Sequence, residues 1–385
     1  MVLSVAQTCL LSGVNETPLH PSAITRSIVL AMGENVNQRS DTPNYFPPAV
    51  RRILWLFGAG RLSNVASIDV EPEYGYFARL NYRDGRHRVI RGGDLGINPG
   101  TSAELSKDKG YAKFMLKVLG LNTPQGQTFL LPDWAQKVTA NPKQHDNPNI
   151  RTTEAAYPYI EGNFGYPVYV KPVDGSQGTN IYRVDSRQEL GGVFAAYAER
   201  GVRVALIEKP IDLPDYRIVV LDGKLISAYR RDPLAVIGDG KQTVRELVHA
   251  VQTQYQDGGR DTRLSPDDER LVATLGKAGL TLESVLPAGN RQTLLPISNL
   301  SAGGTSEDVS DSISPRWVEL AASVASNFNL RLCGLDLACS DITNSKADYS
   351  ILEVNAAPGL DHYAASGEAQ QQIVDDLYTR VVNNP

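Results

Sequence analysis

The chain has 385 residues, of which 42% are hydrophobic and 21% are charged, and its formal net charge at pH 7 is −5. This length is sufficient for two or three subdomains with a large buried core. The negative net charge argues against a protein that binds nucleic acid by neutralising phosphates. We therefore expect small-molecule partners, with neither nucleic acid nor a membrane among them.

The cysteines and the amino-terminal residues indicate the compartment. Three cysteines occur, Cys9, Cys333 and Cys339, without the spacing of a metal site, which favours a reducing environment over a disulfide framework. The opening stretch MVLSVAQTCLLSGV lacks the basic segment of a signal peptide and is too short to cross a bilayer. The sequence therefore predicts a soluble, cytoplasmic protein.

The first predicted elements lie between two loops rich in proline, glycine and asparagine, DTPNYFPPAV (41–50) and GGDLGINPGTS (92–102). Between these loops, ILWLF (53–57) and YFARLNY (76–82) are apolar or alternating runs of strand length. We predict two strands here.

A helix is predicted next, in KDKGYAKFMLKVLG. Ser106 is a candidate cap for its amino terminus, and Gly120 is expected to end it. Phe114, Leu116 and Leu119 are expected to lie along its buried side.

The centre of the chain alternates between strands and helices. The segment VYVKPVDGSQGTNIYRV predicts a strand, a glycine-containing turn and a second strand. Ser186 with Glu189, and Thr243 with Glu246, have the spacing of capping boxes that begin helices. Between these two helices, strands are predicted in VALIEKPI, YRIVVLDG and KLISAYR.

The carboxy-terminal part continues this pattern. Ser314 followed by Pro315 is typical of a helix start, and CGLDLACSDI and YSILEVNA read as the last two strands. The alternation predicts an α+β or α/β class with mixed sheets.

Polar side chains interrupt these last two strands. Because strand side chains alternate between faces, Glu353 and Asn355 should face one way, and Leu352 and Val354 the other way into the core. If the strands pair, Asp336 joins them, and the three oxygen ligands suit Mg²⁺ with a nucleotide better than a closed calcium cage. Taken alone, the pattern also fits a capping Asp336 and a solvated Glu353.

A second cluster lies at Lys171, which precedes a turn containing Gly175 and Gly178. Glycines allow backbone N–H groups to approach phosphate oxygens closely, and the lysine supplies charge. The motif is neither a Walker A loop nor a dinucleotide fingerprint, and by itself it is compatible with an ordinary hairpin. In LIEKPIDLPDYRIVV, the break after Glu208 followed by Asp215 could hold an adenine and a ribose.

Four blocks in this order resemble the ATP-grasp ligases: the lysine of SKDK, the glycine loop of VKPVDGSQGTN, the hinge IEKPIDLPD, and the terminal Asp, Glu and Asn. RRDPLAVIGDGKQTVRELV, NLSAGGTSEDVSD and LEVNAAPGL are very similar to blocks in the ATP-grasp module of cyanophycin synthetase. Glutathione synthetase modules of fused bacterial enzymes are similar too. The resemblance covers about residues 100–380.

The resemblance implies an ATP-grasp fold, with two α+β subdomains that grip ATP after a smaller amino-terminal α/β domain. The implied boundaries are an amino-terminal region at 1–105, a central subdomain with the glycine-rich loop at 106–210, and a carboxy-terminal subdomain with the metal site at 211–385. The chain contains neither the long amino-terminal domain nor the Mur-ligase-like module of cyanophycin synthetase. We therefore expect a single ligation rather than polymer synthesis.

The resemblance also implies roles for individual residues in ATP binding. The residues expected at the ATP phosphates are Lys109 and Lys171, with a mobile loop of Gly175, Ser176, Gln177 and Gly178 over them. The residues expected at the adenine are Glu208, Lys209 and Ile211, and Asp215 is expected at the ribose. The residues expected to bind two Mg²⁺ ions, which Mn²⁺ could replace, are Asp336, Glu353 and Asn355.

Candidates for the chemical step follow from the same resemblance. Arg217 and Arg231 are expected to hold an acyl phosphate through their guanidinium forks, the alternative being surface ion pairs. Asn299, Gly303 and Gly304 could donate hydrogen bonds near it, or could form a tight turn.

The implied reaction joins a carboxylate of an amino acid or peptide to an amine, with formation of ADP. A small-molecule kinase and a non-catalytic ATP-binding regulator remain alternatives. The sequence does not specify the oligomeric state, although ligases of this family are often homodimers.

Overall fold

The computed structural model describes residues 45–384 except 145, 176–177 and 258–261, so Cys9 lies outside the described residues. The chain divides into two compact units, one with the residues up to Gly92 and those from Thr379 onward, and the other spanning Gly93–Tyr378. Within the described ranges, no helix combines the length and the apolar character that a membrane span needs. The domain boundaries expected at residues 105 and 210 stay predictions.

The described part of the first unit contains one helix and one sheet. The elements are helix α1 (Pro48–Gly58) and strands β1 (Val65–Val70), β2 (Phe77–Tyr82) and β3 (His87–Arg91). The strands pair antiparallel in the order β1-β2-β3. The strand predicted at residues 76–82 is confirmed as β2.

The strand predicted at residues 53–57 is wrong, because these residues belong to α1. Pro48 occupies the first turn of the helix, where its missing N–H costs nothing. Val50, Ile53 and Leu54 are buried at helical spacing. Five consecutive apolar residues are compatible with either a strand or a buried helical segment. The prolines before them were the sequence signal for a helix start.

The remaining elements start in the second unit, and α11 continues past Tyr378. The helices are α2 (Gly100–Lys107), α3 (Lys109–Val118), α4 (Pro132–Thr139), α5 (Ala156–Asn163), α6 (Arg187–Glu199), α7 (Val244–Asp257), α8 (Glu269–Lys277), α9 (Pro315–Asn327), α10 (Asp361–Ala364) and α11 (Glu368–Val382). The strands are β4 (Gly126–Leu130), β5 (Val168–Pro172), β6 (Tyr182–Val184), β7 (Val204–Glu208), β8 (Asp215–Leu221), β9 (Lys224–Asp232), β10 (Ala235–Ile237), β11 (Arg291–Thr293), β12 (Thr305–Asp308), β13 (Leu332–Cys339) and β14 (Tyr349–Asn355).

Two antiparallel sheets organise this unit. One has the strand order β4-β7-β5-β6, and its apolar core includes side chains of α5 and α6. The other has the order β12-β9-β8-β13-β14, and its core is filled by α9 and part of α3. The polypeptide passes from the first sheet to the second through residues 209–214, between β7 and β8. The mixture of helices with antiparallel sheets confirms the α+β class.

A third apolar cluster lies in the segment between β9 and β12. The antiparallel pair of β10 and β11 lies there, and Val236 of β10 packs in this cluster with side chains of α7 and α8. Thr243 and Glu246 exchange backbone and side-chain hydrogen bonds at the start of α7, which confirms this capping box. Ser186 accepts a hydrogen bond from the backbone of Glu189 at the start of α6, as predicted.

The helix predicted around Lys109 exists, but its cap is different. Asp108 accepts hydrogen bonds from the backbone N–H groups of Gly110 and Tyr111, at 2.8 and 3.0 Å. Ser106 instead lies inside α2 and donates to Ala103. The prediction for Phe114 is also wrong, since its side chain is 68% exposed. Leu116 is buried in the apolar core and Leu119 packs against it, as predicted.

Candidate functional site

The metal-ligand prediction concerns the pair β13 and β14. These strands are antiparallel neighbours, and Asp336 lies directly opposite Glu353 in their register. Asn355, two residues further along β14, lies opposite Gly334. The predicted pairing of the two strands is therefore confirmed, and it places all three side chains along one short stretch of sheet.

A β-bulge interrupts this register one residue before Glu353. Asp336 pairs with Glu353 but Leu337 pairs with Ile351, so Leu352 has no cross-strand partner. Ile351 and Val354 belong to the apolar core, as predicted for Val354. The prediction that Leu352 also points into that core is wrong, because Leu352 does not belong to this apolar cluster and lines the cavity beside Glu353.

Lys109 connects α3 to the metal-ligand candidates. Its ammonium group lies 3.1 Å from a carboxylate oxygen of Glu353 and also donates to the carbonyl of Gly175. The side chain of Lys109 is 7% exposed. Lys109, the first residue of α3, is thus a buried cation that contacts both Glu353 of β14 and Gly175, the first glycine of the predicted phosphate loop.

Glu208, at the end of β7, is held between two lysines. Lys113 of α3 pairs with its Oε1, and Lys171 of β5 lies 2.6 Å from its Oε2. Burial opposes charge on Glu208, but the two lysines outweigh it and lower the pKa of this carboxyl. Burial also opposes charge on Lys171, and Glu208 outweighs it to raise the pKa of this lysine. For Lys113 burial prevails and lowers the pKa.

Four of these charged groups line one cavity, and Lys171 is not among them. Its wall includes Lys109, Lys113, Glu208, Leu352 and Glu353. The wall is thus contributed by both sheets and by α3. Two lysines and two carboxylates thus line this cavity together with apolar side chains, among them Leu352.

Asp336 is the centre of a buried group of ion pairs. Arg217 of β8 donates to both of its oxygens, the longer bond being 2.8 Å. Arg231 of β9 lies 2.9 Å from Asp336 and 2.7 Å from Asp215. Register explains the arrangement, since Arg217 pairs with Asp336 and Arg231 with Asp215 across neighbouring strands. The surface ion pairs considered for Arg217 and Arg231 are therefore excluded.

The two carboxyls of this group differ in acidity. Burial disfavours charge on Asp336, but Arg217 and Arg231 outweigh it and lower its pKa. Burial raises the pKa of Asp215 to about 6, against the attraction of Arg231. The two arginines thus favour the charged form of Asp336, whereas burial favours the neutral form of Asp215.

The glycine loop follows β5. Gly178 has φ of +70°, and a Cβ atom there would lie 2.7 Å from Ile297 Cδ1 and 3.0 Å from Asn299 Nδ2. Gly175 has open surroundings by comparison, with its nearest neighbour for a Cβ at 3.5 Å. Ser176 and Gln177 lie outside the described residues. Gly178 is therefore fixed by conformation and by close contact with residues 297–299.

The NLSAGG segment forms a tight turn. Asn299 accepts a hydrogen bond from the backbone of Ser301, while the N–H groups of Gly303 and Gly304 donate to Leu300 and Asn299. Gly303 has φ of +97°, which favours glycine. The turn alternative thus describes this geometry, and Asn299 remains the member of the segment next to Gly178.

The hinge residues occupy the connection between the sheets. The N–H of Lys209 donates to Gln125 at 2.8 Å, which extends the β4-β7 ladder by one residue. Ile211 lies within the connection, and Asp215 is the first residue of β8. Glu208 and Asp215 thus stand at the two ends of one crossing between sheets.

Two site residues had no sequence prediction. Lys113 lies four residues after Lys109, and this helical spacing was the available signal for a second lysine on the same face. Gly126 of β4 lies opposite Glu208, and a Cβ atom there would meet the Glu208 Cγ at 2.7 Å. A glycine in a short strand can indicate such close approach, although nothing in the sequence pointed to Glu208 as its neighbour.

The three predicted metal ligands carry oxygen donors of the kind that Mg²⁺ prefers, and their role stays a prediction. Like charges directly opposite on neighbouring strands repel each other, as Asp336 and Glu353 would without nearby cations. Asn355 Nδ2 is buried and has no hydrogen-bond partner among the described residues. Across the same residues, no three His, Cys, Asp or Glu side chains converge on a metal position. The candidate ligands are therefore two carboxylates and an amide oxygen, a hard-oxygen set that Mg²⁺ accepts with phosphate and water.

Comparisons with known proteins identify the family. No family model matches the chain. It is 34% identical over 271 residues to cyanophycin synthetase from Nostoc sp. (strain PCC 7120), covering 69% of this chain and 28% of that protein. It is 35% identical over 248 residues to the glutathione biosynthesis bifunctional protein of Streptococcus thermophilus, covering 59% of this chain and 32% of that protein. The chain thus spans less than a third of these relatives' lengths.

The fold agrees with these similarities. A bifunctional glutathione synthetase from Pasteurella multocida superposes with a TM-score of 0.53 at 20% identity, over 89% of this chain and 45% of that one. The chain belongs to the ATP-grasp ligase family. The predicted resemblance and the predicted fold class are both confirmed. The expected division of this fold into two subdomains that enclose a nucleotide stays a prediction.

Proposed function

We propose that the chain is an ATP-dependent ligase that joins the carboxylate of an amino acid or peptide to an amine. Ligases of this family use ATP, typically with Mg²⁺. The products would be an amide, ADP and phosphate, with an acyl phosphate between the two chemical steps. Two Mg²⁺ ions, replaceable by Mn²⁺, are part of the proposal.

One observation carries this proposal: Lys109, Glu353 and Asp336 form a continuous row from the cavity wall into β13. Lys109 contacts Glu353, and Glu353 stands opposite Asp336. Phosphoryl transfer needs cations for the phosphates and oxygen ligands for a metal within a few ångströms of each other. This row supplies both, and Lys171 adds a second cation on the other sheet.

The proposed nucleotide roles are those that the family resemblance implies. Lys109 and Lys171 hold the phosphates, and the described glycines Gly175 and Gly178 present backbone to them. Ser176 and Gln177 are proposed there from the sequence motif alone. The base lies against Glu208, Lys209 and Ile211, with Leu352 as an apolar wall, and Asp215 accepts from the ribose hydroxyls.

Asp336, Glu353 and Asn355 would hold Mg²⁺, which supplies charge compensation at the phosphates when bound. Arg217 and Arg231 orient Asp336, and Arg231 retains a buried Nε without a partner among the described residues. This donor is proposed to reach the acyl phosphate. Asn299 contributes its side chain next to Gly178, with Gly303 and Gly304 forming the turn that supports it.

The proposed ligation has two chemical steps. A carboxylate oxygen attacks the γ-phosphorus, the bond from that phosphorus to the bridging oxygen breaks, and ADP leaves. The amine nitrogen then attacks the acyl carbon, the carbon–oxygen bond to phosphate breaks, and the amine gives up a proton. The released phosphate therefore carries one oxygen of the original carboxylate.

Heavy-oxygen labelling of the acid tests this reaction. A screen of amino acids and dipeptides for ADP release first identifies a substrate, which is then labelled in its carboxylate. Label in inorganic phosphate together with a new amide mass supports the proposal. Label in AMP with pyrophosphate release overturns it, as does a stable phosphorylated product, which indicates a kinase. Nucleotide binding without turnover indicates a regulator.

A further inference from the structure

Lys171 cannot pair with Glu208 and bind the nucleotide phosphates in the same position. In this structure its ammonium group lies 2.6 Å from Glu208 Oε2, whereas the proposed function needs the same group at the phosphates. The Glu208 side chain is 6% exposed, so water does not replace a lost partner. A buried carboxylate that loses its cation is strongly destabilised. Moving Lys171 would therefore be costly if Glu208 had no second cation.

Lys113 is that second cation. It pairs with Glu208 Oε1, the oxygen that Lys171 does not contact. It also donates to the carbonyl of Pro124, so its ammonium group is fixed from the backbone side. Its side chain is 8% exposed and lines the same cavity. Glu208 thus keeps a buried ion pair whichever position Lys171 occupies.

We propose that Lys113 is a positioning residue that retains the charge of Glu208 and so releases Lys171 to bind the nucleotide. The inference rests on the proposed function, since it assumes that nucleotide phosphates bind Lys171. With Lys113 present, two lysines share one carboxylate, and one of them can leave. Without Lys113, the remaining pair of Lys171 and Glu208 holds itself closed.

The test is the affinity for a non-hydrolysable ATP analogue with Mg²⁺, measured by calorimetry on the full chain. Lys113→Met should weaken binding by about tenfold or more. Lys117→Met is the matched control, one helical turn further along α3 on an exposed position, and should bind like the wild type. Melting temperatures of each variant check that the fold is kept.

A double variant separates positioning from simple loss of charge. Glu208→Gln removes the buried carboxylate, so Lys171 no longer needs to be replaced. Adding Lys113→Met to Glu208→Gln should then cost less than about threefold in affinity, far less than in the wild-type background. A cost of the same size in both backgrounds overturns the inference, because Lys113 would then act on the nucleotide directly or through the fold.

Failure of the inference is distinguishable from failure of the proposed function. If the wild type binds the analogue and Lys113→Met binds equally well, only the role of Lys113 is rejected. If the wild type shows no saturable binding of nucleotide with Mg²⁺, the proposed function is rejected, and the positioning role with it.

Discussion

The guanidinium group of Arg217 donates hydrogen bonds to both carboxylate oxygens of Asp336. Arg331 binds Asp222 in the same bidentate way elsewhere in the unit. The two pairs differ in burial. The side chains of Arg217 and Asp336 are 13% and 6% exposed, whereas those of Arg331 and Asp222 are 51% and 35% exposed. Nearly equal geometry in different surroundings allows the contribution of burial to be measured within one protein.

Arg217→Met should lower the free energy of unfolding by about 3 kcal/mol, because it leaves the buried Asp336 with Arg231 as its remaining cation. Arg331→Met, the matched surface change, should cost less than about 1 kcal/mol. Urea titration of both variants measures the difference. Equal losses for the two variants would contradict the burial of the Asp336 group.

Glu353→Gln should abolish ADP formation while the fold remains intact, because the change is nearly isosteric and removes one proposed metal ligand. The decrease in rate should exceed tenfold, a barrier change of about 1.4 kcal/mol. Glu319→Gln, at an exposed position of α9, serves as the control and should keep full activity. Activity of Glu353→Gln within tenfold of the wild type would remove Glu353 from the metal site.

Gly178→Ala should destabilise the protein by about 1–2 kcal/mol, since the left-handed backbone conformation disfavours a Cβ atom. The same Cβ atom would press on Ile297 and Asn299, so weaker nucleotide use is expected as well. Gly175→Ala meets only ordinary contacts and should change stability by less than about 0.5 kcal/mol. Thermal unfolding and the KM for ATP measure both effects, and identical behaviour of the two variants would argue against the fixed position of Gly178.

Cys333 should resist alkylation in the native protein. Burial raises the pKa of its thiol to about 12, so roughly one molecule in ten thousand carries the thiolate at pH 8. Peptide mass spectrometry after iodoacetamide treatment should find Cys333 unmodified, and fully modified once urea is present. Rapid native labelling would show that the centre of β13 opens more readily than its packing indicates.

The sequence predicts the fold class and most residues of the candidate site because both depend on short local patterns. Capping residues marked α6 and α7, and the alternation of Glu353, Val354 and Asn355 placed two polar side chains on one face of β14. Asp336 followed once its strand was assumed to pair with β14. Residue type and period were sufficient at these positions.

What the sequence did not provide depends on contacts between distant segments. Ile53 is in a helix because of the prolines before it and its burial, which a five-residue window does not contain. The role of Lys113 depends on its contact with Glu208, which lies on β7, far from α3 in the sequence. Arg217 and Arg231 were singled out, but their shared carboxylate follows from strand register, and a single sequence does not specify register.

The bulge in β14 determines which residue of this strand can be deleted without disturbing its pairing with β13. Every other residue from Tyr349 to Asn355 has a partner on β13, so deleting any of them would displace a cross-strand pair. Leu352 has none, and its loss would leave Ile351 opposite Leu337 and Glu353 opposite Asp336. The residue whose loss leaves the sheet paired is therefore also a cavity-lining residue, so its deletion would reshape the pocket without displacing a cross-strand pair.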